Sequence, residues 1–396
     1  MKKISRGENM AQEIKFPKSK KRNIKIDTEP IIFLVLFLAV FIPLGHVMGA
    51  SNLFKTLMAT AHDLLLNTVF FIMAVAVLTG ALGALFSEFG VVFLLNKVLR
   101  IFMKPLYGLP GAASLGILTT FLSDNPAILS LAKDKEFVKY FEKWQIPLLC
   151  NLGTAFGMGL IISTYMIAQS GQLGVNLLGP VLIGLLGAFV GSIISVRIFS
   201  VFTKKYFITE EKIEYKAIDW RKIREGNVGS RFLDALLEGG KTGVDLGLSI
   251  IPGVLIISTF VMIITYGPKD PSIGYQGLAG EGVPFLPWLA SKISPVLDFL
   301  FGFKSPKLIA FPLTSLGSAG AALALIPGFI KQGILTGNDV AVFTAIGMTW
   351  SGYLSTHIAM MDALESRKLA SKAILSHTIA GLCAAVFSHF LYIIFF

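Results

Sequence analysis

The chain has 396 residues, of which 54% are hydrophobic and 15% charged, and its mean hydropathy is +0.71. Soluble domains carry about 25% charged residues, so this composition excludes an ordinary water-soluble globule and points to an integral membrane protein. The net charge of +11 does not indicate a nucleic-acid partner, because the basic residues gather in short stretches between long apolar runs. That is the pattern of loops facing the cytoplasm, where anionic lipid and the membrane potential attract positive charge.

Residues 1–28 hold Lys2, Lys3, Arg6, Lys15, Lys18, Lys20, Lys21, Arg22 and Lys25, and are expected to form a disordered cytoplasmic N-terminus. The first apolar run starts near Pro30 without a convincing cleavage site, which argues against a secretory signal. A span needs about 20 apolar residues. Seven runs qualify: Ile31–Ala50, Asn67–Ser87, Ile146–Ala168, Val175–Phe202, Gly243–Tyr266, Ala341–Met361 and Ala373–Phe395. Leu53–Leu66, Val92–Leu106, Phe232–Lys241 and Phe285–Phe301 are shorter and amphipathic, and are expected along the membrane interface. Gly187 and Gly191 form a GxxxG suited to close helix packing. Cys150 and Cys383 read as small buried core residues.

These runs divide the chain into a first membrane half, 29–202, a basic cytoplasmic linker, 203–242, and a second membrane half, 243–396. The linker carries Lys204, Lys205, Lys212, Lys216, Arg221, Lys222 and Arg224, while the glycine-rich loop 267–283 falls outside and the C-terminus with it. The expected setting is the inner or plasma membrane, crossed several times.

Two apolar stretches are interrupted. Leu109–Leu131, within 108–132, is broken by Asp124-Asn125-Pro126, and 305–331 by Pro306, Pro312 and Gly317-Ser-Ala-Gly320. Proline cannot continue a helix and restricts the residue before it. The resulting half-helices, about 18 Å long, are too short to cross, so both stretches are expected to be re-entrant hairpins. Irregular backbone survives at membrane depth only inside protein or along a watery cavity. Thr119-Thr120-x-x-Ser123 in the first matches Thr314-Ser315-x-x-Ser318 in the second, and the loop charges orient the two hairpins oppositely. Interrupted helices in corresponding places of two inverted halves point to a secondary-transporter binding site.

Asp124 is the sharpest residue in this pattern. A carboxylate at membrane depth is costly and marks ion or ligand pathways; the competing reading is a cap for the second half-helix. Ser123, Thr120 and Asn125 would supply neutral partners beside it. The helix after each hairpin holds a second polar cluster: Asn151 and Thr154 after the first, and Thr349, Trp350, Ser351, Ser355 and Thr356 after the second. Packing roles compete with ligand roles at each of these positions. His357 and Asp362 are expected at a solvated helix end. His46, His62, His377 and His389 show no metal-binding spacing, and there is no nucleotide fingerprint, catalytic triad or zinc motif.

At Pro105-Leu-Tyr-Gly-Leu-Pro-Gly111 and the hairpin that follows, the sequence resembles the nucleoside-recognition, or Gate, domain family of membrane proteins, of the YjiH type. That family is similar in turn to the concentrative nucleoside transporters, whose first hairpin tip reads Thr-Glu-x-Pro; Ser123-Asp124-Asn125-Pro126 is a conservative match. Gly153-Thr-Ala-Phe-Gly157 echoes the glycine-rich helix that follows there, and Gly347-Met-Thr-Trp-Ser351 a Gly-x-x-x-x-Ser stretch. Those carriers also place a carboxylate and an asparagine in the second hairpin, and Thr314–Ala322 has neither.

The expected fold is therefore an all-α integral membrane protein of about seven spans, two re-entrant hairpins and interfacial helices in two inverted repeats. The expected function is secondary transport of a small polar solute, nucleoside-like by the resemblance, by alternating access. The alternative is a non-transporting membrane sensor or scaffold, as the resemblance to spore-maturation proteins implies. Neither enzymatic activity nor a cofactor is expected. A coupling ion, Na+ or H+, is not distinguished by the sequence, and homo-oligomerisation stays open. The site residues expected to meet the solute are Thr119, Thr120, Ser123, Asp124, Asn125, Asn151, Thr154, Thr314, Ser315, Ser318, Thr349, Trp350 and Ser351.

Overall fold

The computed structural model describes residues 28–396 except 126, 134, 139 and 208–222. Expectations for the N-terminal segment 1–27, for most of the basic linker and for Pro126 lie outside the described residues. The chain divides into two units, 1–40 and 41–396. In the first, the described residues belong to helix α1 (Glu29–Met48), and its side chains from Ile31 to Leu38 are exposed. An apolar stretch exposed all round suits a hydrocarbon surrounding.

The second unit is helical throughout, and no strand forms among the described residues. Gly49, at φ 79°, ends α1 and starts α2 (Ala50–Asp63), which runs through a π-turn at Leu64–Val69 into α3 (Phe70–Glu88). Then come α4 (Val91–Phe102), α5 (Ala113–Leu122), α6 (Ala127–Lys133), α7 (Lys135–Val138), α8 (Leu148–Thr154), α9 (Gly159–Ala168), α10 (Ser170–Leu173) and α11 (Leu178–Tyr206). The second half holds α12 (Val228–Gly253), α13 (Thr259–Ile263), α14 (Phe285–Ser291), α15 (Ser294–Phe301), α16 (Ala310–Ser315), α17 (Ala319–Leu323) and α18 (Ile326–Lys331). It closes with α19 (Gly337–Thr349), α20 (Tyr353–Ala363) and α21 (Ala370–Phe395).

Among the described residues, six helical segments are long and apolar enough to cross a membrane: Glu29–Met48, Ala50–Glu88, Leu148–Leu173, Leu178–Tyr206, Val228–Ile263 and Arg367–Phe395. Exposed residues such as Leu78, Ile256 and Ile394, each over 70% accessible, face outward as a lipid-bathed surface requires. The molecule is an all-α, multi-pass membrane protein.

Three sequence expectations are corrected. The run Ala341–Met361 is not one helix, because the backbone leaves α19 at Trp350 and restarts as α20 after Gly352, at φ 72°. Leu53–Leu66 and Phe232–Lys241 are not separate interfacial helices; each continues without a break into the span that follows it. The reason for the second lies in packing. α3 and α12 meet through small residues: a Cβ on Gly239 would sit 2.4 Å from the Gly80 carbonyl oxygen, and one on Gly243 2.3 Å from that of Ala76. Such backbone contact needs two straight helices along their shared length. At the polar end, buried Glu88 receives Arg231 Nε at 2.6 Å and Arg224 Nη1 at 2.7 Å, tying the end of α3 to the start of α12.

The second packing system is α11 against α19 and α21. A Cβ on Gly187 would stand 2.8 Å from the Ala384 carbonyl oxygen, and one on Gly191 2.8 Å from the Ala384 Cβ. The GxxxG therefore serves close packing, as its spacing implied.

Candidate functional site

Both interrupted stretches are helix–break–helix segments: α5 and α6 flank Ser123–Asn125, and α16 and α17 flank Leu316–Ser318. Each is followed by a helix that is itself broken. α8 and α9 part at Ala155–Met158, where Met158 takes a left-handed φ of 56° that side chains other than glycine rarely adopt. α19 and α20 part at Trp350–Gly352. A broken helix exposes N–H and C=O groups that must find partners elsewhere; at the first break the N–H groups turn back on nearby carbonyls, as Gly157 does to Thr154, and at the second they reach an interrupted segment.

The α19–α20 break is the meeting point. The Gly352 N–H donates to the Ser315 carbonyl at 3.0 Å, and the Leu354 N–H to the Leu316 carbonyl at 3.1 Å. From the other interrupted segment, buried Asn125 donates through Nδ2 to the Ser351 carbonyl and to Thr356 Oγ1, both at 3.1 Å. The first broken helix closes the group with Gly157, where a Cβ would lie 2.7 Å from Ser351 Oγ and 3.0 Å from Asn125 Oδ1. Only hydrogen fits there. The hydroxyls of Ser351 and Thr349 are buried and lack a hydrogen-bond partner among the described residues. Each such group carries a desolvation cost and calls for a partner of some kind.

A second polar cluster hangs from the same break. The Thr349 carbonyl accepts from His377 Nε2. A carbonyl cannot donate, so for a neutral ring Nε2 carries the proton and Nδ1 accepts from Ser195 Oγ at 2.8 Å. Asn151 Nδ2 donates to Ser195 Oγ at 2.9 Å and to the Ala373 carbonyl at 3.0 Å, which fixes the amide's orientation. Its Oδ1 then accepts from His357 Nε2 at 3.2 Å. The two imidazoles lie 4.9 Å apart, centroid to centroid, with Tyr353 edge-on to both. The network joins α8, α11, α20 and α21 in a region without solvent contact.

The expected site residues do not all meet at one point. Asn125 and Ser351 come together at the break, with Thr349 beside them. Asp124 is half-buried, and its Oδ1 accepts from the next residue's N–H at 2.7 Å, a local turn-type contact. Ser123, half-buried, lies next to it. Five hydroxyls are engaged by their own helix: Thr119, Thr120, Thr154, Thr314 and Ser315 each donate to the carbonyl four residues back. Ser318 caps α17 by accepting from the Ala321 N–H at 3.2 Å. Asn151 belongs to the histidine network, and so does Trp350, whose Nε1 donates to the His377 carbonyl at 3.2 Å.

His357 is a correction: it is fully buried, not at a solvated helix end, because the α19–α20 break turns its face toward α8 and α21. Asp362 is exposed and paired with Arg367 at 2.8 Å. Ser195 escaped the sequence reading, which weighs His377 only for metal-binding spacing, although an ionisable residue inside a long apolar run is itself a signal. Among the described residues no three His, Cys, Asp or Glu side chains converge on a metal-sized point.

No family model matches the chain, and no curated protein does. Solved structures of the concentrative nucleoside transporter CNTnw are similar in fold. A doubly substituted form in an outward-facing state aligns with TM-score 0.53 and 15% identity over 91% of this chain and 84% of that one. CNTnw in an inward-facing substrate-bound state gives 0.53 and 16% over 91% and 85%. A singly substituted form in an intermediate state gives 0.53 and 14% over 91% and 85%. At these identities the likeness establishes the fold.

Proposed function

We propose that the chain is a secondary transporter moving a small polar solute, nucleoside-like in class, by alternating access, with the two halves acting as inverted repeats. The observation that carries this reading is the α19–α20 break, where one interrupted segment bonds Ser351 and the other Gly352 and Leu354, and where the Ser351 hydroxyl has no partner among the described residues. A solute hydroxyl or ring nitrogen would complete it. The hydrogen bonds that tie the segments to the break are few and single, each contributing about 1 kcal/mol, which suits parts that must separate and re-form. The fold supports the same reading, since CNTnw is recorded with it in outward-facing, intermediate and inward-facing states. Asp124, next to Asn125, is the candidate for binding a coupling cation, Na+ or H+.

The test is uptake of radiolabelled uridine by proteoliposomes holding the full chain, beside Asp124→Asn, with melting temperature measured for both. Asparagine caps a helix about as well as aspartate, so a cap alone would survive the change. The expected result is lost uptake with an unchanged melting temperature. Wild-type uptake by Asp124→Asn would reduce the residue to a cap, and no uptake by either protein would favour the scaffold reading.

A further inference from the structure

A second polar feature lies away from the break, where loop 267–283 returns to the end of α13. Tyr266 follows that helix and is 5% exposed; its ring packs edge-on to Phe329 at 6.5 Å. Its hydroxyl has no hydrogen-bond partner among the described residues. Gly328 makes room for it, since a Cβ there would stand 2.7 Å from the oxygen. Tyr266 is among the residues lining a cavity of about 220 Å³, with Asp63, Thr68, Lys269, Lys307 and Lys331. Liquid water takes about 30 Å³ per molecule, so the space exceeds what one bridging water fills.

The charges are one-sided. Three lysines face one aspartate, a surplus of +2. Asp63 accepts from Asn67 Nδ2 at 2.8 Å, and Lys307 Nζ donates to Gln332 Oε1 at 2.6 Å, so the neighbours of these groups are neutral amides. No carboxylate lies within 4 Å of the three ammonium groups among the described residues. Three ammonium donors and a buried hydroxyl donor around one cavity, with few acceptors, suit a ligand rich in acceptor oxygens.

We propose that this cavity binds a phosphate oxyanion, held by Lys269, Lys307 and Lys331 and oriented by the Tyr266 hydroxyl. The same chemistry is offered by free phosphate and by a phospholipid headgroup. The site requires no uptake, so it stands or falls apart from the transporter reading.

The test uses the purified full chain in a maltoside detergent and follows its melting temperature in two arms, because a ligand for the folded state raises it. One arm titrates inorganic phosphate against chloride at matched ionic strength, which removes general screening. The other adds phosphatidylglycerol without inorganic phosphate. A rise in the first arm, with binding weakened at least about tenfold in Lys307→Gln/Lys331→Gln, identifies a free oxyanion site. The same pattern in the second arm alone identifies a headgroup site. Tyr266→Phe is expected to bind about fivefold more weakly, and wild-type affinity would overturn the role given to the hydroxyl. Lys269→Gln, at an exposed position, replaces the double variant if that fails to fold. No response in either arm, or an equal response by the lysine variants, overturns the proposal.

Discussion

The α3–α12 pair and the α8–α9 and α19–α20 helices solve the same problem in opposite ways. Along α3 and α12 the long helices satisfy their own backbone, glycines bring the two chains into backbone contact, and the ionic groups meet at one end around Glu88. In the other region the helices stop inside the protein: the α8–α9 break closes on its own carbonyls, while groups freed at α19–α20 are met by the interrupted segments and by a buried Asn–Ser–His chain. The first arrangement leaves no alternative pairing, since a slide of either helix drives Cα atoms into carbonyls. The second is held by exchangeable hydrogen bonds between elements far apart in sequence, such as Asn125 and Ser351, 226 residues apart.

The contrast can be broken most forcefully at the rigid pair. Gly243→Leu puts a side chain where Ala76 and Val77 backbone lies 2.3–2.5 Å from the Cβ position. Overpacking against backbone is expected to destabilise by about 3 kcal/mol or more, read as a large fall in melting temperature or loss of folded protein. A wild-type melting temperature would show that the helices can separate at no cost and would erase the distinction.

Asn125→Ala probes the exchangeable region. It removes two hydrogen bonds to the α19–α20 break and leaves the Ser351 carbonyl buried without that donor. The expected loss is about 2 kcal/mol, smaller than at Gly243, with uptake reduced far more than stability. Equal losses in both would mark Asn125 as a strut.

The smallest effect is expected at Thr120→Val. The Thr120 hydroxyl bonds only within its own helix, to the Gly116 and Ile117 carbonyls, and those carbonyls keep their helical partners when it is removed. A stability change below about 1 kcal/mol and unchanged uptake follow. Lost uptake with intact stability would restore Thr120 as a residue that meets the solute.

The sequence carried much of this plan but not its centre. Apolar runs and the Pro and Gly interruptions placed the spans and both broken segments, because burial in lipid and proline geometry act within a few residues. The amphipathic reading of Leu53–Leu66 and Phe232–Lys241 was sound as a pattern and misleading as a boundary. Their polar faces, with Lys55, Asp63, Asp234 and Glu238, lie on helices that simply extend beyond the apolar stretch. The hydroxyl residues of the two matching tips looked alike in sequence, yet most are engaged with their own carbonyls, a local competition that composition does not reveal.

Membrane insertion, helical class and the positions of the two interrupted segments are properties of the chain alone, since each follows from the transfer energy of side chains and the conformational limits of Pro and Gly. The breaks inside α8–α9 and α19–α20 were decided by tertiary structure. At α19–α20 the helix gives up its own hydrogen bonds where Ser315, Leu316 and Asn125 supply others, and at α8–α9 the chain turns tightly on its own carbonyls with only a glycine at 157 able to pass Ser351 and Asn125. The pairing of His357 with His377 was decided the same way, by Asn151 and Ser195 on two further helices. No spacing along the chain encodes a contact whose partners come from four helices at once.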